Sequence, residues 1–157
     1  MSTNSLESSR ITFPDAGYST CEDTYVKLLI YPGPHGVNEV TDVLEIKPTS
    51  TQEKGNEIVN SRGNKRVAKN SLWVLSSEQR VASRDLRDHL DWLLSKIQGS
   101  QIGLKKVQGW DGLKMTVSCV WWSAFGHGGP VLWPEQMKAL ADLNLECSFD
   151  IYFADDE

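Results

Sequence analysis

LKMTVSCVWW, residues Leu113–Trp122, alternates without a break. Leu113, Met115, Val117, Cys119 and Trp121 fall on one side of an extended chain; Lys114, Thr116, Ser118, Val120 and Trp122 fall on the other. Successive side chains of a strand point to opposite faces of its sheet, so this period of two predicts a long strand. LECSFDIYF, Leu145–Phe153, repeats the pattern. It places Leu145, Cys147, Phe149, Ile151 and Phe153 inward and Glu146, Ser148, Asp150 and Tyr152 outward. One buried face and one wet face are usual in antiparallel sheets. We expect both runs in one layer, backed by a helix.

The segment joining them opens with AFGHGGPVLWPE, Ala124–Glu135. Pro134 suits the first turn of a helix, and Glu135 the positive end of its dipole. Met137, Leu140 and Ala141 form the predicted buried stripe, and Asn144 takes the left-handed position that stops the helix.

Working back toward the N-terminus, SLWVLS sets Leu72 and Val74 against Trp73 and Leu75, a strand. TYVKLLIY places Val26, Leu28 and Ile30 on a buried face, with Tyr25, Lys27, Leu29 and Tyr31 opposite. Val37, Val40, Val43 and Leu44 predict a short helix over Gly36–Ile46, ended by Pro48. The polar stretch Thr49–Asn70 carries Lys54, Arg62, Lys65, Arg66 and Lys69, with a short strand expected over Glu57–Asn60. The clearest helix spans Arg84–Gln98: Leu86, Leu90, Leu93, Leu94 and Ile97 form one apolar stripe. Ser83 is the expected N-cap and Gly99 the expected end. His89 lies on the edge of that stripe, and Trp92 lies outside it.

The order β-α-(β)-β-α-β-α-β predicts an α+β fold. We expect a mixed or antiparallel sheet with helices mainly on one face, in which a ferredoxin-like βαββαβ core is extended by a C-terminal helix and strand. A chain of 157 residues suits one domain. That domain is placed at 21–154, after a flexible N-terminal tail (1–20) and before an acidic tail (155–157). An apolar share of 39% with six tryptophans argues for a packed core. A net charge of −5 disfavours nucleic acid. Three cysteines, an odd count without a C-x-x-C pair, predict no disulfide framework and a cytoplasmic setting. The first twenty residues hold no apolar run of the kind a signal peptide needs, and no run approaches the roughly 20 residues of a membrane span.

Several pieces together resemble the bacterial proteins carrying domain of unknown function 4279. They are Lys54-Gly55; Trp73 with Ser76 and Ser77 (W-x-x-S-S); His89-Leu90-x-Trp92-Leu93-Leu94; Gly128-Gly129-x-x-Leu132; Leu140-Ala141-x-Leu143-x-Leu145; and Phe149-Asp150-Ile151-Tyr152. The resemblance spans about Thr24 to Phe153. The chain departs from it at Glu45 and Asn144, which stand where the family pattern has glycine after a helix. The resemblance implies a small α+β cytoplasmic bacterial protein and carries over no catalytic residue.

The candidate binding residues are Trp73, Trp92, Trp122, His127, Gly128, Gly129 and Asp150. Main-chain N–H groups at Gly126, Gly128 and Gly129 suit a small anion; turn geometry is the plainer reading of the same glycines. Trp121 and Trp122 point to opposite faces, so tryptophans outnumber the places in one core layer, and those left over suit protein contacts. Asp150 beside Tyr152 is a lone carboxylate without a placed partner. His35, His89 and His127 are scattered, without the close pairing of metal ligands, so no metal and no cofactor are expected. The catalytic residues are unknown, and the sequence carries no G-x-S-x-G elbow. The expected function is a small cytoplasmic binding module acting on a protein partner or forming a homodimer, with no nucleic acid and no membrane. A small-ligand protein or metal-free enzyme with a site near Gly126–Gly129 is the alternative.

Overall fold

One-sided burial draws the four alternating segments, joined by a short fifth strand, into a single sheet in the computed structural model, which describes residues 4–153. β1 (Cys21–Tyr31) and β6 (Lys114–Ser123) form its antiparallel centre. β5 (Leu72–Ser76) pairs antiparallel with the other side of β1, and β2 (Ser50–Gln52) pairs with β5. β7 (Cys147–Phe153) pairs with β6 in parallel, with Trp121 opposite Ile151, so the strand order is β2-β5-β1-β6-β7. The parallel pair is dictated by the connection: a strand can return parallel only through a crossover, here the loop and helix between Ala124 and Glu146. The two long alternating runs thus share a layer.

β1 and β2 both run antiparallel to β5, one on either side of it, as the outer strands of a split βαβ unit do, and β6 adds antiparallel to the far side of β1. The expected mixed sheet forms, and a separate hairpin of β3 (Glu57–Val59) and β4 (Lys65–Val67) stands apart from it. The sequence marked β3 but neither its partner nor β2. Most of the basic stretch is exposed in that hairpin, where Lys65 Nζ lies 3.5 Å from Glu57 Oε1.

Apart from a four-residue turn, α1 (Asn4–Glu7), the helices back one face of the sheet. They are α2 (Val37–Leu44), α3 (Leu86–Ile97), α4 (Gln101–Gln108) and α5 (Pro134–Asp142). Val26, Leu28 and Ile30 of β1, Trp73 and Leu75 of β5, and Val117 and Cys119 of β6 bury against Leu90, Leu93 and Ile97 of α3. Each such aliphatic side chain contributes about 1.5–3 kcal/mol on burial. Asp85, not Ser83, caps α3: its Oδ1 accepts from Arg87 N at 3.0 Å. Nor does Gly99 end the helical path. A 3₁₀ turn (Gln98–Ser100) leads straight into α4, which the apolar pattern did not mark. Gly103 lets α4 sit on the end of α2, since a Cβ there would lie within 2.4 Å of the Val43 carbonyl oxygen.

In α5 the predicted stripe is rotated. Leu140 is buried, but Met137 is 50% exposed and Ala141 is exposed, while Gln136 is buried. The cause is polar. Gln136 Oε1 accepts from Trp133 N at 2.9 Å, and its Nε2 donates to Arg87 O and to Asp91 Oδ1. These bonds set the phase of the helix. On β7 Leu145 is buried just before the strand, yet Phe149, Ile151 and Phe153 are 46–50% exposed, because β7 is the sheet's edge and lies outside the helix-backed core.

The segment read as a flexible tail is tied down from Arg10 onward. The Arg10 guanidinium grips the Glu135 carboxylate through two hydrogen bonds, and Arg84 N donates to Ala16 O at 2.9 Å. The strongest hold is Arg87, which donates to Thr12 O and Phe13 O and pairs with Asp85 at 2.6 Å. Both members of that ion pair are buried. Burial pushes the Asp85 carboxyl up, but hydrogen bonds from Arg87 and from the Asp15 N–H outweigh it and hold it below its ordinary pKa. The acidic stretch Asp155–Glu157 lies outside the described residues.

Glu45 and Asn144 both fall where a left-handed residue is required. Glu45 (φ 57°) terminates α2, its N–H donating to Thr41 O at 2.7 Å, and Asn144 (φ 55°) follows α5. A non-glycine residue in this conformation costs roughly 1–2 kcal/mol, less for Asn. Glu45→Gly is therefore expected to stabilise the protein by about 1 kcal/mol net of the added chain freedom, a rise in Tm of about 2–4 °C by calorimetry. An unchanged or lower Tm would show that the strain is absorbed elsewhere.

Candidate functional site

The helices cover only one face of the sheet. The alternation that buries Val26, Leu28 and Ile30 turns Tyr25, Leu29 and Tyr31 to the other face, and it turns Trp122, Asp150 and Tyr152 there from β6 and β7. Trp122 and Tyr152 are register partners, and their rings stack at 4.5 Å with an interplanar angle of 19°. The Tyr152 hydroxyl donates to Asp150 Oδ2 at 3.0 Å, and that carboxylate holds the phenol above its ordinary pKa. Toward the opposite edge of the same face lies a shallow groove of about 590 Å³ floored by Leu29 and Val74 and flanked by Lys27, Tyr31, Glu78 and Arg80. The surface carries the aromatic rings of Tyr25, Tyr31, Trp122 and Tyr152, with the charges of Lys27, Glu78, Arg80 and Asp150 beside them. Its chemistry is that of contact, through stacking, apolar burial and peripheral salt bridges.

The candidate residues separate on this frame. Trp122 and Asp150 come together on the open face, joined by Tyr152. Trp73 does not: it is fully buried, and its Nε1 donates to Thr41 Oγ1 at 3.0 Å. Trp92 is half-buried on α3, on the helix side, with Lys96 Nζ 5.6 Å from its ring. His127 is exposed, its ring 6.1 Å from that of Phe125. Gly128 (φ 87°) lies so close to Thr20 that a Cβ would come within 2.4 Å of its Oγ1, and Gly129 O accepts from Tyr18 OH at 2.9 Å. The glycine loop is thus clamped onto the N-terminal segment, as a connection that turns β6 toward α5. Tyr25 and Tyr31 belong to the open face and were not singled out, although the alternation of TYVKLLIY already set them there.

The motif residues W-x-x-S-S and H-L-x-W-L-L meet inside the molecule. His89 Nδ1 accepts from Ser77 Oγ at 2.6 Å, and Nε2–H donates to Ser83 O at 2.7 Å. Ser77 Oγ in turn accepts from Val26 N at 2.9 Å. Burial lowers the His89 pKa and keeps the ring neutral. Ser and His at this distance resemble a nucleophile–base pair, but both are sealed from solvent. They tie β1, the end of β5 and α3 together. His35 stacks on Trp110 at 4.1 Å. Among the described residues no three of His, Cys, Asp or Glu converge in a way that could hold a metal ion. Nor is any helix among them long and apolar enough to cross a membrane.

The family model described as "Domain of unknown function (DUF4279)" matches residues 22–154. No curated protein and no solved structure matches the chain.

Proposed function

The chain belongs to the DUF4279 family, whose description assigns no activity, and on that premise we propose a small cytoplasmic binding module that engages a protein partner through the uncovered face of its sheet. The observation that carries this reading is the one-sided helix layer, which leaves the Trp122–Tyr152 stack on an open surface. A sheet packed on one side only must leave its other face to water or to a partner. Tyrosine and tryptophan are enriched where partners bind, since they offer large contact area with a polar tip. The net charge of −5 suits a basic partner, and the odd cysteine count suits a reducing compartment.

Affinity capture from the native host with the tagged chain, read by mass spectrometry, tests this. Trp122→Ala is expected to weaken capture of the partner by roughly 30-fold, the effect of an interface residue worth about 2 kcal/mol. Trp92→Ala, on the helix side, is expected to leave capture intact. Equal capture by Trp122→Ala and the unaltered chain, both folded by circular dichroism, would remove the open face from the reading.

A further inference from the structure

β7 is an edge strand, and its pairing with β6 fixes the direction of its free main-chain groups. Val117 stands opposite Cys147 and donates its N–H to Glu146 O. In a parallel ladder this turns the N–H and C=O of Ser148, Asp150 and Tyr152 toward β6. Those of Cys147, Phe149, Ile151 and Phe153 point away, and among the described residues no main-chain group pairs with them. Exposed edges are usually blunted by lysine, proline or a bulge. Cys147–Phe153 has no lysine or proline, its register runs unbroken, and Phe149, Ile151, Tyr152 and Phe153 are 41–50% exposed.

We propose that this edge is a self-association site. Two copies of β7 pair antiparallel about a two-fold axis perpendicular to the sheet and centred on Ile151, joining two five-stranded sheets into one continuous sheet. The proposal goes beyond the partner reading and uses a different surface, the strand edge instead of the open face.

The sequence of β7 is complementary to itself in this register. Ile151 meets Ile151 of the partner subunit, and Phe149 meets Phe153 of the partner subunit. All of these residues carry outward N–H and C=O groups, so the pairs exchange main-chain hydrogen bonds. The same apolar side chains, half-exposed in one chain, line up as a single stripe across the axis. On the open face Asp150 meets Tyr152 of the partner subunit. The hydroxyl that serves Asp150 within its own chain can then serve the opposing carboxylate. Centring the axis on Asp150 would set two carboxylates directly opposite each other in the closer, non-hydrogen-bonded pair, which is destabilising. A second copy therefore supplies what the edge lacks: unpaired main chain and matching side chains.

Sedimentation velocity of the full chain between about 1 µM and about 100 µM, the range that resolves a micromolar complex, is the test. We expect a concentration-dependent dimer. Ile151→Lys, which places two ammonium groups across the axis, is expected to weaken it at least about tenfold. Ile151 is half-exposed, so circular dichroism and Tm should show the variant folded. Asp150→Asn serves as a second variant and should weaken the dimer slightly or leave it unchanged. A tenfold strengthening by Asp150→Asn would place the axis on Asp150 and overturn the register. A chain monomeric throughout the range, or an Ile151→Lys chain that still dimerises as the unaltered one does, would overturn the proposal. Trp122→Ala should still dimerise, so loss of partner capture and loss of self-association can be told apart.

Discussion

Replacing Arg87 by alanine is expected to cost about 3–5 kcal/mol, the usual result of leaving a buried charge without its partner. Asp85 would keep its carboxylate inside the molecule with no cation beside it, and Thr12 O and Phe13 O would lose their donors. The effect should be local as well as global. Residues 10–16 would lift from α3 and α5, and trypsin would cut after Arg10, whose ion pair with the exposed Glu135 carboxylate is too weak to hold the segment alone. Denaturant unfolding and limited proteolysis read the two effects. Acid sensitivity should change with them. The folded pKa of Asp85 lies below its unfolded value of about 3.9, so its contribution is complete above that pH and is lost as the pH falls through the folded value. In Arg87→Ala that acid-dependent stability should vanish. An Arg87→Ala protein as stable as the unaltered one, and equally resistant to trypsin, would mean that the N-terminal segment is held by something other than this pair.

Trp73→Ala is expected to destabilise by about 3–5 kcal/mol, as a large-to-small change in a filled core does, and so to lower Tm by roughly 10 °C. The indole sits fully buried in β5 and anchors α2 through Thr41. Trp73→Phe keeps most of the ring volume and loses the N–H donor; about 1–2 kcal/mol should separate it from the unaltered protein. Any loss of partner capture in these variants should follow the fraction unfolded, because Trp73 offers no surface. Trp122→Ala should behave in the opposite way, losing capture with little change in Tm.

That contrast shows where the sequence is readable. Alternation separates Trp73 from Leu72, and Trp121 from Trp122, because one-sided burial enforces a period of two. It reports that the faces differ, and not whether anything lies over the apolar one. LECSFDIYF alternates as cleanly as TYVKLLIY, yet only the central strand gains a full helix cover, while the edge strand leaves Phe149, Ile151 and Phe153 half-exposed. α4 leaves no helical period in the sequence because Leu104 and Val107 are its only buried anchors, too few between lysines and a glycine. The hold on the N-terminal segment was unreadable for another reason: Arg87 grips main-chain oxygens, which leave no trace in the side-chain pattern of the segment they belong to. Within the candidate site, Trp122 and Asp150 could be placed because both lie on strands of known phase. His127 and Gly128 lie on a loop whose geometry is set by Thr20, more than a hundred positions away.

The central pairing of β1 with β6 bears on how the chain is made. Thr24 and Val120, bonded to each other, are 96 positions apart. At a synthesis rate of about 5–20 residues per second, the apolar side of β1 spends roughly 5–20 seconds outside the ribosome before its main partner exists. β5 can dock on one flank in the meantime, but the flank that will receive β6 stays open, and a contact order this high slows closure further. Nascent chains should therefore bind holdase chaperones up to the release of β6, and ribosomes stalled just before that point should carry a chain that aggregates when freed.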